Sequence, residues 1–227
     1  MTADAGVRPA AAAGRLVALD GLRGAAAVVV ALHHTLLLVP SLAAVYLDPE
    51  ASTPSWARWF VDTPLHLLWG GTEAVYLFFV LSGVVLARQA RGFTGGDWAA
   101  YVPSRLARLY LPVVAIVLLV AAVGLVAPPP VATGNLWLDL HPARYETVTL
   151  VRDLVLIEGT SGVITPLWTL RWEVLFSLLL ALAVVVVRPR WGLVAVPGAL
   201  ALVIVGFLTG VSALCYLPMF LSGAAIG

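Results

Sequence analysis

The stretch GAAAVVVALHHTLLLVPSL, residues 24–42, decides the fold. It runs nineteen residues without one Asp, Glu, Lys or Arg. As a helix rising ~1.5 Å per residue, such a run crosses a hydrocarbon layer ~30 Å thick. Its apolar residues are continuous and do not alternate with polar ones, which argues against a barrel strand. Four further runs are read as spans in the same way: Leu65–Leu86, Leu109–Ala127, Leu167–Val187 and Gly192–Leu208. A sixth begins at Val211 and continues to Gly227.

The composition agrees. Of 227 residues, 61% are hydrophobic and 11% charged, whereas roughly a quarter of a soluble domain is charged. Lipid is therefore the solvent for most of the chain, and only helices and closed barrels satisfy every backbone group there. The expected fold is all-α: a polytopic membrane helical bundle of about six spans. One domain covers residues 1–227, with 1–22 as an N-terminal cytoplasmic segment. Because the last apolar run reaches Gly227 without a polar flank, the domain is expected to continue past this C-terminus. The first run follows a polar, Ala-rich segment and shows no small-residue cleavage site, so it is read as a retained span and not as a secretory signal.

Arginine sets the expected orientation, since basic loops stay on the cytoplasmic side. Arg8, Arg15 and Arg23 flank the first run, Arg88, Arg91, Arg105 and Arg108 follow the second, and Arg188 and Arg190 follow the fourth. The alternate connections are mixed. Ser41–Pro64 sets Arg58 against Asp48, Glu50 and Asp62, and Pro128–Pro166 sets Arg144 and Arg152 against Asp139, Glu146, Asp153 and Glu158. The N-terminus is thus expected in the cytoplasm. Within the longer connection, Val148–Ile157 is apolar but too short to span, and is expected as a re-entrant or interfacial piece.

A net charge of +1 gives no reason to expect a nucleic-acid partner. The lone Cys215 excludes an internal disulfide. No metal site is expected, because His33, His34, His66 and His141 fall in different elements apart from one adjacent pair. All thirteen basic residues are Arg, a usage that suggests a GC-rich bacterial genome and hence a bacterial plasma membrane.

Ionisable groups inside spans are costly and each needs a reason. Arg23 and His34 stand eleven residues apart, about 16 Å and almost three full turns of helix. They share a face, with His34 expected near mid-membrane and Arg23 at the inner boundary, while His33 points about 100° away. A histidine there suits proton transfer or, equally, a neutral hydrogen bond between helices. Glu73 falls well inside the second span, which ends in Leu77-Phe-Phe-Val-Leu-Ser82-Gly83, and Ser82 with Gly83 favours close helix packing. The fourth span opens on Pro166-Leu-Trp168-Thr-Leu-Arg171-Trp172-Glu173. There the tryptophans fit an interfacial belt and Glu173 lies roughly 10 Å inside. Arg105 and Arg108 are neighbours on one helix face and could hold phosphates, although anchoring to anionic lipid is the favoured reading in isolation.

Four pieces together resemble one family. Leu19-Asp20-Gly21-Leu22-Arg23-Gly24, with His34 eleven residues after Arg23, is similar to the opening of the acyltransferase-3 family of membrane O-acyltransferases. Phe78-Phe-Val-Leu-Ser82-Gly83, Arg105-x-x-Arg108-Leu-Tyr-x-Pro112 and Trp168-Thr-Leu-x-x-Glu173-x-x-Phe176 resemble its later motifs, in order. Tyr76 and Ser177 depart from it, standing where relatives often carry Asp and Tyr. The resemblance implies an enzyme that moves an acyl group, usually acetyl, from acyl-CoA as donor substrate to a hydroxyl of a glycan or small natural product, with no bound cofactor. It places the essential pair on Arg23 and His34. His34 is expected as the general base, and Glu173, a further catalytic candidate, is expected with Glu73 to orient His34 or bind the acceptor. Arg105 and Arg108 are the donor-binding candidates, and Glu73, Ser82 and Trp168 the supporting ones. The expected partners are membrane lipid, acyl-CoA and the hydroxyl-bearing acceptor. Two readings compete with it: a proton-coupled transporter of a glycan or lipid, which would also put His and Glu inside spans, and a non-catalytic membrane scaffold.

Overall fold

In the computed structural model, which describes residues 10–127, 132–156, 158–186 and 192–226, the chain is helical and no strand occurs among the described residues. Arg8, Arg188 and Arg190, three of the arginines behind the expected orientation, lie outside the described residues.

The first helix, α1, covers Ala10–Leu36. Both ends differ from the apolar run. Proline disfavours helical backbone at the residue before it, and the chain turns over residues 37–39 before Pro40 opens α2, Pro40–Leu47. At the other end the helix simply continues back through Arg23 and Asp20, which form an ion pair at 3.9 Å. The apolar window is Val17–Leu36. His34 is therefore in the last turn of α1 and not at mid-span, and Arg23 is the residue well inside it.

The helices α2 and α3, Ser55–Asp62, and a 3₁₀ turn at Pro64–Leu68 cap this end of the bundle. They bury Leu37, Ala43 and Trp69. Only after Trp69 and Gly70 does α4, Gly71–Ala90, begin, six residues later than the hydropathy suggests. Glu73 consequently sits in the first turn of α4, largely exposed, and faces His66 at 4.0 Å.

A capping box of Thr94 and Asp97 starts α5, Gly95–Val126, which is 32 residues long and contains Pro103 and Pro112. The third expected span is the later part of this helix, so Arg105 and Arg108 lie within it and not in a loop before it. The chain then doubles back. Arg144 donates to the Ala127 carbonyl, and Tyr110 donates to the Val155 carbonyl at 2.6 Å. Between those two anchors α5 advances about 25 Å. The helix α6, Leu136–Asp139, lies at the end of α1, and α7, Thr147–Val155, runs back along α5. Helix α7 covers most of the short apolar piece Val148–Ile157, expected as re-entrant or interfacial; Ile157 lies outside the described residues. Asp153, fully buried, fixes the turn that follows by accepting from Tyr145 (2.8 Å) and from the Ser161 amide and hydroxyl (2.6 and 2.7 Å).

The chain closes with α8, Leu167–Val186, α9, Gly192–Thr209, and α10, Ser212–Ile226. Among the described residues, four helices are long and apolar enough to cross a membrane: Val17–Leu36, Gly71–Ala90, Gly95–Val126 and Leu167–Val184. The fifth and sixth expected spans are shorter apolar helices, Val194–Thr209 and Ser212–Ile226, which pair as a hairpin. The second motif meets α10 in a reciprocal glycine crossing. A Cβ on Gly83 would stand 2.1 Å from the Phe220 carbonyl oxygen, and one on Gly223 would stand 2.0 Å from that of Val80. Backbones approach this closely only where both residues lack side chains.

Candidate active site

Two polar regions lie one above the other along α1. The first is a cavity of ≈ 230 Å³ at the end of α1, walled by His33, His34, Tyr46, Trp137, Trp168 and Thr169. His33 and His34 both face it although they are consecutive, because α2, α4 and α6 close around the helix end from different sides. The His33 Nδ1 lies 3.0 Å from the Trp69 carbonyl oxygen. A carbonyl only accepts, so Nδ1 carries the proton and Nε2 keeps the lone pair when the ring is neutral. Gly71 makes room for this ring: a Cβ there would fall 2.5 Å from the His33 Cγ.

His34 makes no hydrogen bond among the described residues and packs with its ring 5.7 Å from that of Trp137. Trp137 is held there by Asn135, which is buried. The Asn135 amide donates to the carbonyls of Leu37 (3.0 Å) and Leu38 (2.9 Å), groups left without partners where α1 ends. Its Oδ1 accepts from the amides of Trp137 and Leu138, capping α6. At the far end of α6, the Thr133 amide and hydroxyl hydrogen-bond the Asp139 carboxylate and hold its pKa below the ordinary value. His66 packs against Trp69 at 4.7 Å and His141 against Trp137 at 4.4 Å, so all four histidines gather at this end. The linear sequence shows them as scattered. No group of three or more metal-ligating side chains occurs among the described residues.

The second region is an ionic cluster about 16 Å back along α1. Glu173 of α8, 4% exposed, is its centre. Ser82 of α4 donates to Glu173 Oε1 at 3.2 Å, and Arg105 of α5 approaches Oε2 at 3.8 Å while donating to Ser177 at 3.3 Å. Arg23 of α1 lies over the Phe78 ring at 5.0 Å, and its charge, with that of Arg105, acts on the Glu173 carboxylate. One guanidinium group, that of Arg105, thus pairs with the carboxylate, and Arg23 adds a longer-range attraction. The Nε of Arg23 and the Nη2 of Arg105 are buried with no hydrogen-bond partner among the described residues.

The expected site residues are therefore divided. Arg23, Ser82, Arg105 and Glu173, one from each motif, meet in the ionic cluster. His34 and Trp168 line the cavity instead, so Glu173 does not orient His34, and neither does Glu73, which pairs with His66. Arg108 parts from Arg105: it is exposed, on the same outward stripe as Leu111 and Leu118. Arg171 places its guanidinium over Trp172 at 5.0 Å. His33, Tyr46, Trp69, Asn135 and Trp137 were not singled out as site residues from the sequence. Tyr46, Asn135 and Trp137 fall in connections between the expected spans and His33 and Trp69 inside spans, and none of them carries a local pattern that marks the site.

A family model described as an acyltransferase domain matches residues 16–227 and so takes in all four motifs. No curated protein and no solved structure matches the chain significantly.

Proposed function

The chain belongs to the acyltransferase-3 family of membrane acyltransferases, and on that premise we propose that it moves an acyl group, acetyl in the first instance, from acyl-CoA to a hydroxyl of a glycan or small natural product. The observation that carries this is the convergence of the motifs. Ser82, Arg105 and Glu173 close on one another inside the helices within the field of Arg23, and along α1 from them His34 opens on a cavity of ≈ 230 Å³.

With the N-terminus in the cytoplasm of a bacterial plasma membrane, the ionic cluster lies between the cytoplasmic helix ends and the cavity. Coenzyme A is large and anionic and approaches from that cytoplasmic side. Arg108 has no carboxylate partner among the described residues yet sits on an apolar, exposed helix stripe. A charge in that position calls for an anionic partner, and a donor phosphate is one. Arg23, with an unused Nε–H, can donate to an amide carbonyl of the pantetheine arm as it passes. The thioester then reaches His34. The imidazole takes the proton of the acceptor hydroxyl, the oxygen attacks the thioester carbon, the C–S bond breaks, and the leaving thiolate recovers the proton from the imidazolium. Trp137 and Trp168 on the cavity wall keep bulk water from competing as acceptor.

The test is release of the coenzyme A thiol from acetyl-CoA by membranes carrying the chain, with and without an envelope extract as acceptor source. Extract-dependent release should fall at least ~100-fold in His34→Ala, the scale of a lost general base. Undiminished release by the mutant would remove His34 from the chemistry. No release by the wild-type chain would count against the donor assignment itself.

A further inference from the structure

His33 precedes the family's motif histidine and has no place in the reading above, yet its surroundings are those of a working base. We infer that His33 is a second catalytic imidazole of the chamber, sharing the acceptor's proton with His34. The inference rests on the acyl-transfer reading and adds to it.

A histidine acts as a directed base when one ring nitrogen is tied down and the other keeps its lone pair toward the substrate. His33 meets the first condition: its Nδ1–H is committed to the Trp69 carbonyl. Its position is over-determined, since Trp69 stacks on the ring at 5.4 Å and Tyr46 meets it edge-on at 5.0 Å. Gly71 covers the Cγ and Cδ2 edge. Nε2, next to Cδ2 in the ring, has no hydrogen-bond partner among the described residues, and the residue lines the cavity. His34, by contrast, has neither ring nitrogen held. The two rings stand 5.6 Å apart at 76°, close enough for both to reach one hydroxyl-bearing group in the cavity.

In this scheme the acceptor O–H donates to His33 Nε2, which takes the proton as the oxygen attacks the thioester carbon. The C–S bond breaks, the proton passes from the His33 imidazolium to neighbouring His34, the mobile member of the pair, and His34 gives it to the thiolate. No other reactant enters, and the products are the acylated acceptor and free coenzyme A.

The discriminating variant is His33→Asn. Its side-chain amide can occupy the place of Nδ1–H and keep the bond to the Trp69 carbonyl, but it has no lone pair at the position of Nε2. The full chain in membranes is assayed for extract-dependent thiol release, with wild type, His34→Ala and the double mutant alongside. A thermal unfolding profile is recorded in detergent for each. We expect His33→Asn to unfold as wild type does and to lose at least ~100-fold in kcat. The double mutant should be no worse than the poorer single one, because groups that act as a unit are not additive. His33→Gln, whose amide reaches the Nε2 position, is the second variant. It should bind acceptor with an unchanged KM and still lack kcat, and it carries the test if Asn unfolds. Release by His33→Asn within about threefold of wild type, while His34→Ala is dead, would overturn the inference and leave the acyl-transfer reading intact. A silent wild type, or an active His34→Ala, would instead strike that reading.

Discussion

The histidine chamber and the ionic cluster share helices α1, α4 and α8, yet they are held together in opposite ways. In the cluster the charges close on one another: Glu173 is taken by Ser82 and Arg105 and attracted by Arg23. In the chamber the imidazoles keep hydrogen-bonding capacity in reserve. His33 spends Nδ1 on a backbone carbonyl and retains Nε2, and His34 spends neither nitrogen. A closed charge network stabilises one arrangement of helices. A set of half-committed imidazoles among aromatic faces is what proton transfer to an arriving hydroxyl needs. On the proposed reading the cluster serves folding chiefly, with Arg23 keeping one donor for the acyl carrier, and the chamber serves the chemistry.

The most direct way to break it is Arg105→Ala. Removing one partner of a buried pair leaves the other charge uncompensated, at a cost of about 3–5 kcal/mol, and Glu173 is 4% exposed. Yield and thermal stability in detergent should collapse, and Glu173→Gln should restore much of the loss in the double variant. A stable but inactive Arg105→Ala protein would move the cluster into the chemistry and erase the contrast.

A somewhat smaller effect is expected at Gly83. A methyl there meets the Phe220 backbone oxygen, which cannot rotate away, and over-packing costs about 1–3 kcal/mol. The folded fraction of Gly83→Ala should keep the wild-type kcat, because the crossing of α4 and α10 does not touch the chamber. A fall in kcat at constant folded fraction would show that α10 transmits to the cavity.

Asn135→Ala sharpens the chamber side. It strips the donors from the Leu37 and Leu38 carbonyls and the cap from α6, about 1–3 kcal/mol by the cost of orphaned groups. Trp137 then loses its hold over His34. Activity should drop further than the folded fraction does. Parallel losses would make Asn135 a stability residue only.

The sequence revealed the helical bundle and the meeting of four motifs more readily than the chamber, and the reasons are physical. Hydropathy reports transfer into lipid, so it located apolar runs but not helix ends. Those ends depend on local backbone, and Pro40 and Trp69-Gly70 moved two of them by about six residues, carrying His34 away from mid-span and Glu73 to the first turn of its helix. Spacing along one helix put Arg23 and His34 on a common face, because that relation is internal to α1. The chamber depends instead on a connection that doubles back along α5 and on Asn135 reaching α1 from 97 residues away. Nothing in the local pattern of Asn135-Leu-Trp137 announces that contact. The neighbouring His33 is not legible as a partner of His34, because helical periodicity turns it about 100° away, whereas the cavity wraps around the helix end and takes in both.

The smallest expected effect is also the finest test of the cluster's closed character. Ser82→Ala removes the hydroxyl that donates to Glu173 Oε1 at 3.2 Å, in a position that is completely buried. If the carboxylate were held by that bond alone, it would be left without a buried donor and the cost would approach that of an orphaned charge. In the cluster as built, Arg105 stays at 3.8 Å from the other oxygen and Arg23 still contributes its field. The loss should therefore be close to that of one ordinary hydrogen bond, about 1 kcal/mol, with kcat unchanged in the thiol-release assay. Combining Ser82→Ala with Arg105→Lys, which keeps a charge but loses the planar fork, should cost more than the sum of the two. Each change removes the support that makes the other tolerable. Simple additivity would mean that Ser82 and Arg105 do not share Glu173, and the cluster would then be two separate contacts that happen to lie side by side.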